Sequence, residues 1–319
     1  MASGKEIKRR IKSIGNTQKI TRAMEMVSAA KMRRSVANLL AVRPYAHAAW
    51  NVLTNLSRAF EATHSGLLEV REVKSVLAIA ITSNKGLCGA YNAQMVRKIR
   101  KEIANPDKLK ANRIGGKKIE STVANKDLKI EFVTIGRKGE AAIAKMNKKI
   151  VASFQHLTYL PRVEDVRAVA KVAIDDYIAK KYDKVVVFYT DYVSAMSQQT
   201  KVRQLLPISK VELEKEIAEM DVLAKEYGLE EAKLEYKVEP SPQEVLEYVL
   251  PRLLEMQIYH ALLESNASKE SARMMAMRNA TDAAGEMKND LTFVYNQIRQ
   301  MKITQEIAEI SAGRAALES

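Results

Sequence analysis

The sequence predicts an α/β protein with a long antiparallel coiled coil made from its two ends. Three observations predict it. Both termini carry sustained helical periodicity, the middle alternates short β-branched runs with helical patterns, and the composition suits slender helices. Glycine (12) and proline (7) are scarce, aromatics make up 6% of the 319 residues, and apolar residues make up 47%. Such a chain can bury a sizeable core and is neither collagen-like nor low in complexity.

The first segment, residues 1–60, reads as the N-terminal coiled-coil helix. Ile7, Ile11 and Ile14 are spaced four and three apart. Ile20, Met24 and Val27 repeat that spacing one step out of register, beyond the polar tract Asn16-Thr17-Gln18-Lys19. Apolar residues are therefore expected on more than one face. Pro44 is expected to bend or end the helix, and Trp50, Leu53, Leu56 and Phe60 continue on a helical period.

Residues 70–210 read as an α/β domain. Val76–Ile81 ("VLAIAI") is the continuous apolar run of a strand buried on both faces. Leu128–Ile135 and Lys184–Tyr189 are further short strands, with helical patterns near 91–104, 137–147 and 163–181 between them. Strand-helix alternation of this kind gives a Rossmann-like domain with a mainly parallel sheet. Residues 105–127, rich in Lys, Asn and Gly, read as a surface excursion. Residues 211–240 form a variable acidic segment returning to this domain, with 210–227 a solvated helix.

Residues 241–319 form the C-terminal coiled-coil helix. Ser241 supplies an N-cap and Pro242 the first turn. Met277, Ala280, Ala284, Met287, Leu291, Val294, Ile298 and Met301 step by three and four, a coiled-coil seam. The seam continues through Gln305, Ala308, Ala312 and Ala315, where small residues admit another helix. Seventy-five helical residues span roughly 110 Å, too long for a compact domain, so the rod must project, with the N-terminal helix as its antiparallel partner. In this heptad frame Ile303, Ile307 and Ile310 occupy f, c and f. They face away from the seam and are expected to meet a second partner around the tip.

Composition also excludes function classes. A single cysteine rules out an intramolecular disulfide framework and a multi-cysteine metal site. His47, His64, His156 and His260 show no metal-ligand spacing, so neither metal nor cofactor is expected. No run of about 20 apolar residues exists and the charged N-terminus lacks a secretory apolar region. A cytoplasmic setting without bilayer insertion is expected. The formal net charge is +14. Residues 1–34 hold ten Lys/Arg against two acids and 97–149 hold sixteen against six, whereas 209–235 hold nine acids against four lysines. The basic stretches seek an acidic partner. One reading of them is a cytoplasmic coiled-coil protein that binds nucleic acid, although they lack the aromatics of a stacking platform.

The stretch "ITSNKGLCGAYN" (81–92) imitates an active-site loop. It contains neither G-x-x-x-x-G-K-[ST] nor G-x-G-x-x-G. Cys88 has no histidine within twenty residues in sequence to serve as its base. A small α/β enzyme using Cys88 is the rival reading. The favoured one is a strand-to-helix turn in which the glycines allow tight geometry and Cys88 packs as a small apolar group. "IGGKK" (114–118) is weaker still as a phosphate loop.

The chain strongly resembles the gamma-subunit family of F-type ATP synthases, in its bacterial form. The match rests on "IKRRIKSIGNTQKITRAMEMVSAAKMRR" (7–34) and "ITSNKGLCGAYN" (81–92). Towards the C-terminus it rests on "SPQEVLEYVLPRLLEMQIYHALLES" (241–265), "SARMMAMRNATDAAGEM" (271–287) and "VYNQIRQMKITQEIAEISAG" (294–313). The resemblance covers nearly the whole chain. Departures lie in 105–127, in 210–235 and at Arg314, where the family usually has a small residue. The resemblance implies a central rotor stalk on the cytoplasmic face of the bacterial plasma (inner) membrane. Its coiled coil would enter the alpha-beta catalytic hexamer, and its α/β foot would bind the epsilon subunit and the membrane ring. Ion flow would turn stalk and ring, and ATP chemistry would occur on the beta subunits, leaving this chain without catalytic residues. By motif, Met24 would lie against an acidic beta-subunit loop, and Arg273, Gln300 and Thr304 would catch and release beta-subunit loops. Arg33 and Arg34 are expected to face acidic protein rather than nucleic acid.

Overall fold

The β1 strand, Ser75–Ile81, explains the architecture of the middle of the chain. Its side chains alternate between two apolar clusters: Leu77, Ile79 and Ile81 enter one, Val76, Ala78 and Ala80 the other. A strand covered on both faces has no polar side, which is why it reads as an unbroken apolar run. This computed structural model describes residues 4–55, 66–114, 117–119, 123, 125, 127–157, 161–209, 218, 222 and 242–318.

Around β1 the sheet has the order β5-β4-β1-β6-β7. Its strands are β4 (Lys129–Ile135), β5 (Ile150–Phe154), β6 (Lys184–Tyr192) and β7 (Gln198–Leu206). β5, β4, β1 and β6 run parallel, and β7 closes the edge antiparallel to β6. Helices α2 (Tyr91–Ala104) and α4 (Arg137–Ala144) cover one face through Met95, Ile99 and Ile143. The other face receives α5 (Val163–Ile178) and parts of the two terminal helices, α1 (Gly4–Asn55) and α6 (Pro242–Glu318). The mainly parallel sheet expected from the sequence is therefore present. The 105–127 excursion is more ordered than a plain surface loop. It contains the short helix α3 (Asp107–Lys110), whose Leu109 is buried in the core, and the hairpin β2 (Asn112–Ile114) and β3 (Lys117–Ile119).

The chain divides into two compact units, one made of residues 1–28 and 273–319, the other of Ala29–Ala272. In the first, α1 and α6 pair antiparallel. Gly4 approaches Tyr295 and Ile298, Gln18 approaches Gly285, and the Thr281 hydroxyl donates to the Thr21 hydroxyl at 2.8 Å.

Several expectations for the helices need correction. Pro44 neither ends nor interrupts α1, which runs on to Asn55. A helical proline costs about 3 kcal/mol, and burial of Val36, Leu39 and Val42 in the core on the preceding turns offsets it. Pro251 sits inside α6 in the same way, between the buried Leu250 and Leu253. On α1 the seam runs on from Ile14 through Gln18, Thr21, Glu25 and Ser28, and Ile20 and Val27 lie exposed on another face, in line with apolar residues on more than one face. The seam of α6, by contrast, is rotated from the expected one. Met277, Ala284, Leu291 and Ile298 face inward, but the second row passes through Thr281 and Tyr295, leaving Met287, Val294 and Met301 exposed. The expected continuation through Gln305, Ala308 and Ala312 has no helix of this chain against it among the described residues, since all of 299–314 are exposed. The cause is the register: the described part of α1 begins at Gly4, level with Ile298. The burial of Ala315, Trp50 and Leu53, and the expectations for Leu56, Phe60 and Ser241, fall outside the described residues. So does the acidic 210–227 stretch, apart from Ala218 and Val222, both helical.

Candidate interaction surface

In the helix-pair unit the seam is thin and its middle is polar. Thr21 donates to the Gln18 carbonyl at 3.0 Å, and Thr281 bonds both Thr21 and the Met277 carbonyl. Gly285 leaves room for the Gln18 amide, which a Cβ at that position would meet at 2.9 Å. Hydroxyl and amide layers of this kind specify alignment but bury little apolar area.

The apolar residues excluded from the seam form a second row on each helix. On α1 these are Ile20 and Val27, seven apart; on α6 they are Met287, Val294 and Met301, again seven apart. Phe293, 65% exposed, adds an aromatic ring. The sequence reading assigns Met287, Val294 and Met301 to the seam and Ile20 and Val27 to another face of α1, and does not single out Phe293. Only the Thr21 and Thr281 hydroxyls and Gly285 distinguish the two rows, a weak signal without a partner sequence.

The expected contact residues fall in three places. Met24 and Arg273 are half-buried in the helix-pair unit. Gln300, Ile303, Thr304, Ile307 and Ile310 lie on α6 past the paired stretch, all exposed; Ile303, Ile307 and Ile310 show 42%, 59% and 73% of their surface. Arg33 and Arg34 are exposed on α1 within the other unit. The α1 surface pair Arg10–Glu6, at 2.7 Å with both side chains exposed, contributes little to stability.

The 81–92 loop is built as a turn. Asn92 accepts from the Ser83 amide at 3.2 Å and donates to Ser83 Oγ at 2.8 Å and to Cys88 Sγ at 3.1 Å. Cys88 is buried. Thr82 Oγ1 bonds the Ile135 carbonyl and accepts from the Gly139 amide at 2.8 Å, tying the end of β1 to the start of α4. A Cβ at Gly139 would sit 2.7 Å from Thr82, so that crossing demands glycine. Ser83, Asn92 and Cys88 are thus bonded to one another within the turn, and Thr82 ties it to β4 and α4.

Elsewhere in the sheet unit a cleft of about 600 Å³ is lined by Tyr45, Tyr248 and Tyr259 with Arg167, Arg252 and Glu255. Glu255 already pairs with Arg252 at 2.7 Å and Arg167 at 3.7 Å. Among the described residues no cluster of His, Cys, Asp and Glu could hold a metal ion. No helix of the described residues is long and apolar enough to cross a membrane.

Comparison with known proteins fits this arrangement. Residues 3–317 match the family model described as ATP synthase. The ATP synthase gamma chain of Roseiflexus castenholzii is 39% identical over 319 residues, covering 99% of each chain. That of Chloroflexus aurantiacus is 38% identical over 322 residues, covering 100% of each. That of Legionella pneumophila is 35% identical over 317 residues, covering 99% of this chain and 100% of its own. Among solved structures, a chain of the Tetrahymena thermophila mitochondrial ATP synthase central stalk and c-ring superposes with a TM-score of 0.54. It shares 25% identity, covering 82% of this chain and 99% of its own. A chain from the Euglena gracilis mitochondrial enzyme, at 17% identity, shares the fold with a TM-score of 0.59 over 98% of this chain and 94% of its own. The relatives named here are gamma chains, which leaves the nucleic-acid-binding reading of the basic stretches without support. With a family match that runs almost end to end and relatives of equal length, the chain belongs to the ATP synthase gamma-chain family.

Proposed function

We propose that this chain is the central-stalk rotor subunit of an F-type ATP synthase. It couples ion flow through a membrane ring to ATP synthesis or hydrolysis on an alpha-beta hexamer by rotation. The match to gamma chains over the full length of both partners carries this reading. The helix pair is the shaft, and its partners are the alpha and beta subunits, the epsilon subunit and the rotor ring. The chain performs no chemistry itself: nucleotide turnover belongs to the hexamer. It is a peripheral subunit at the cytoplasmic face of a bacterial inner membrane, a reading supported by the bacterial source of the relatives above.

Within this reading, Ile303, Ile307 and Ile310 sit in an apolar sleeve formed by the hexamer. Met24, Arg273, Gln300 and Thr304 make contacts that change with rotor angle. Only contacts that differ between angular states can bias one state over another. Arg33 and Arg34 face acidic protein.

Reconstitution tests the proposal. Purified alpha and beta subunits are mixed with and without this chain, and hexamer assembly, ATPase rate and rotation of a bead fixed to the chain are recorded. A stable complex whose bead turns during ATP hydrolysis is expected. Failure to co-purify with the hexamer, or ATP turnover by this chain alone that Cys88→Ala abolishes, would overturn it. The double reversal Arg33→Glu/Arg34→Glu should impair assembly or coupling. Intact coupling together with lost nucleic-acid binding would reassign the basic helix.

A further inference from the structure

From Gln257 to Ser268 every residue of α6 is buried, polar ones included. A helix enclosed on all sides must find partners for its polar groups inside the protein. Three of its serines find them on the sheet. β1 pairs with β6 only as far as Ala80, opposite Phe188, whereas β6 runs on to Tyr192. Past the end of β1, buried backbone groups of β6 still need partners, and α6 supplies them. Ser265 Oγ accepts from the Thr190 amide at 3.1 Å, and Ser268 Oγ donates to the Thr190 carbonyl at 3.2 Å. Two hydroxyls thus serve one strand residue as a neighbouring strand would, one accepting and one donating. A turn further along, Ser271 donates to the Ala195 carbonyl, between β6 and β7, and accepts from Gln198 Nε2 at 3.4 Å. All three serines are buried.

The apolar side chains of this stretch, Ile258, Leu262 and Leu263 among them, join the core cluster. Burial of that kind is non-directional, so it holds the helix in place but resists a small turn or slide only weakly. Hydrogen bonds weaken steeply when their angle opens, and they fix direction. On α1 the neighbouring contacts are of the first kind: Val36, Leu39 and Val42 enter the same cluster, and the buried Ser35 hydroxyl has no hydrogen-bond partner. Past Ala272, α6 continues into the helix-pair unit, so Ser271 stands at its departure from the sheet. We propose that Ser265, Ser268 and Ser271 are the rotational joint of the stalk. They are positioning residues that fix the angle and axial height of α6 against the β6–β7 hairpin, so that torque crosses between sheet and shaft without slip. This inference rests on the rotor reading above.

The test compares the full chain carrying Ser265→Ala/Ser268→Ala with a control, Leu262→Ala, which trims an apolar side chain of the same buried stretch. In the free chain, amide hydrogen exchange at Thr190 should quicken at least about tenfold in the serine variant and less than about twofold in the control. Each chain is then assembled with alpha and beta subunits, the hexamer is fixed to a surface, and a bead is attached to α2. With no ATP present, the variance of the bead angle should at least about double in the serine variant, whose two directional bonds are gone. It should stay at the wild-type value in the control, although both variants melt earlier than wild type. An unchanged variance in the serine variant, or equal widening in Leu262→Ala, overturns the proposal, the second by reducing the serines to ordinary packing. A wild-type bead that does not turn when ATP is added overturns the rotor reading instead, and the torque role falls with it. Should the double variant not fold, Ser268→Ala alone decides, since it leaves Ser265 on the Thr190 amide; a bead variance equal to that of wild type then overturns the proposal.

Discussion

Every residue of β6 is buried, whereas every described residue of α6 from 299 to 314 is exposed. The two stretches belong to different units and are built on opposite plans. In the Ala29–Ala272 unit, two apolar clusters sandwich the sheet, and strands and helices bury each other within one chain. In the helix-pair unit, the middle of the seam runs through Gln18, Thr21, Gly285 and Thr281, while Ile20, Val27, Met287, Phe293, Val294 and Met301 point outward. A region that satisfies its own hydrophobic surface folds alone. A helix pair that leaves methionine, phenylalanine and isoleucine exposed derives its final stability from whatever surrounds it.

This contrast is broken most readily from the core side. Phe132 is fully buried beneath α2 and α4. Phe132→Ala should cost about 3–5 kcal/mol by lost burial and cavity formation. In calorimetry that lowers the Tm of the sheet unit by roughly 10 °C. A change within 2 °C would mean that the sheet unit is not self-sufficient.

A smaller effect is expected at Glu131, buried near the start of β4. Burial pushes its carboxyl up, but hydrogen bonds from Tyr182, Lys129 and Lys149 outweigh burial and hold it at about 2. A carboxyl lowered on folding stabilises above its ordinary value of 4.5, and that stabilisation is lost as pH falls towards 2. Glu131→Gln should therefore destabilise by up to about 3 kcal/mol at pH 7 and by much less at pH 2.5. Denaturant melts at the two values test this, and an equal loss at both would assign the effect to packing.

In the helix pair, Thr281→Val removes the interhelical hydroxyl bond but leaves Thr21 its own Gln18 carbonyl. A loss of about 1 kcal/mol is expected, confined to the transition of that unit. Gly285→Ala should be neutral or slightly stabilising. Its Cβ would press only on the mobile end of Gln18, and alanine is favoured over glycine in a helix by about 1 kcal/mol. A strongly destabilising Gly285→Ala would show that close helix approach, rather than alignment, is what the glycine supplies.

How legible each region was follows from the same contrast. β1 and β6 were visible because burial on both faces leaves unbroken apolar runs, as in Val185–Val187, and β4 because it is rich in β-branched residues despite Glu131. β7 was missed because Gln199, Lys201 and Arg203 interrupt it. An edge strand tolerates such residues, and here they pair across to β6. β5 was missed because "IVASF" follows a lysine-rich turn and is only half-buried. The terminal helices were plain from periodicity, but their seam was not. Periodicity identifies apolar rows and cannot say which row meets the partner helix; that was decided by Thr21, Thr281 and Gly285, residues with little hydrophobic signal. The proposed contact residues Met24, Arg273, Gln300 and Thr304 came from family motifs rather than from pattern, and their exposure alone does not distinguish them from neighbours. The exposed row Ile20 and Val27 was legible as a register break, which put apolar residues on a second face of α1.

The smallest effect on the free chain is expected from the largest apolar change at the tip. Replacing Ile303, Ile307 and Ile310 together with Ser removes three isoleucines that are already in water, so no burial is lost on folding. The free chain should keep its Tm to within about 2 °C and lose only a little helicity, since serine is a slightly poorer helix former than isoleucine. In the assembled hexamer the outcome should reverse. Covering three isoleucine side chains contributes roughly 4–9 kcal/mol before ordering costs. The triple variant should therefore seat less firmly and melt with the hexamer at lower temperature. Rotation should survive in part, because the contacts proposed around Met24 and Arg273 would remain. Melting of the free chain beside melting of the reconstituted complex separates the two. If the triple variant lowers the free-chain Tm by many degrees and leaves the complex unchanged, the stripe belongs to a core internal to this chain, and the division between a self-contained sheet and a partner-dependent helix pair fails at its most exposed point.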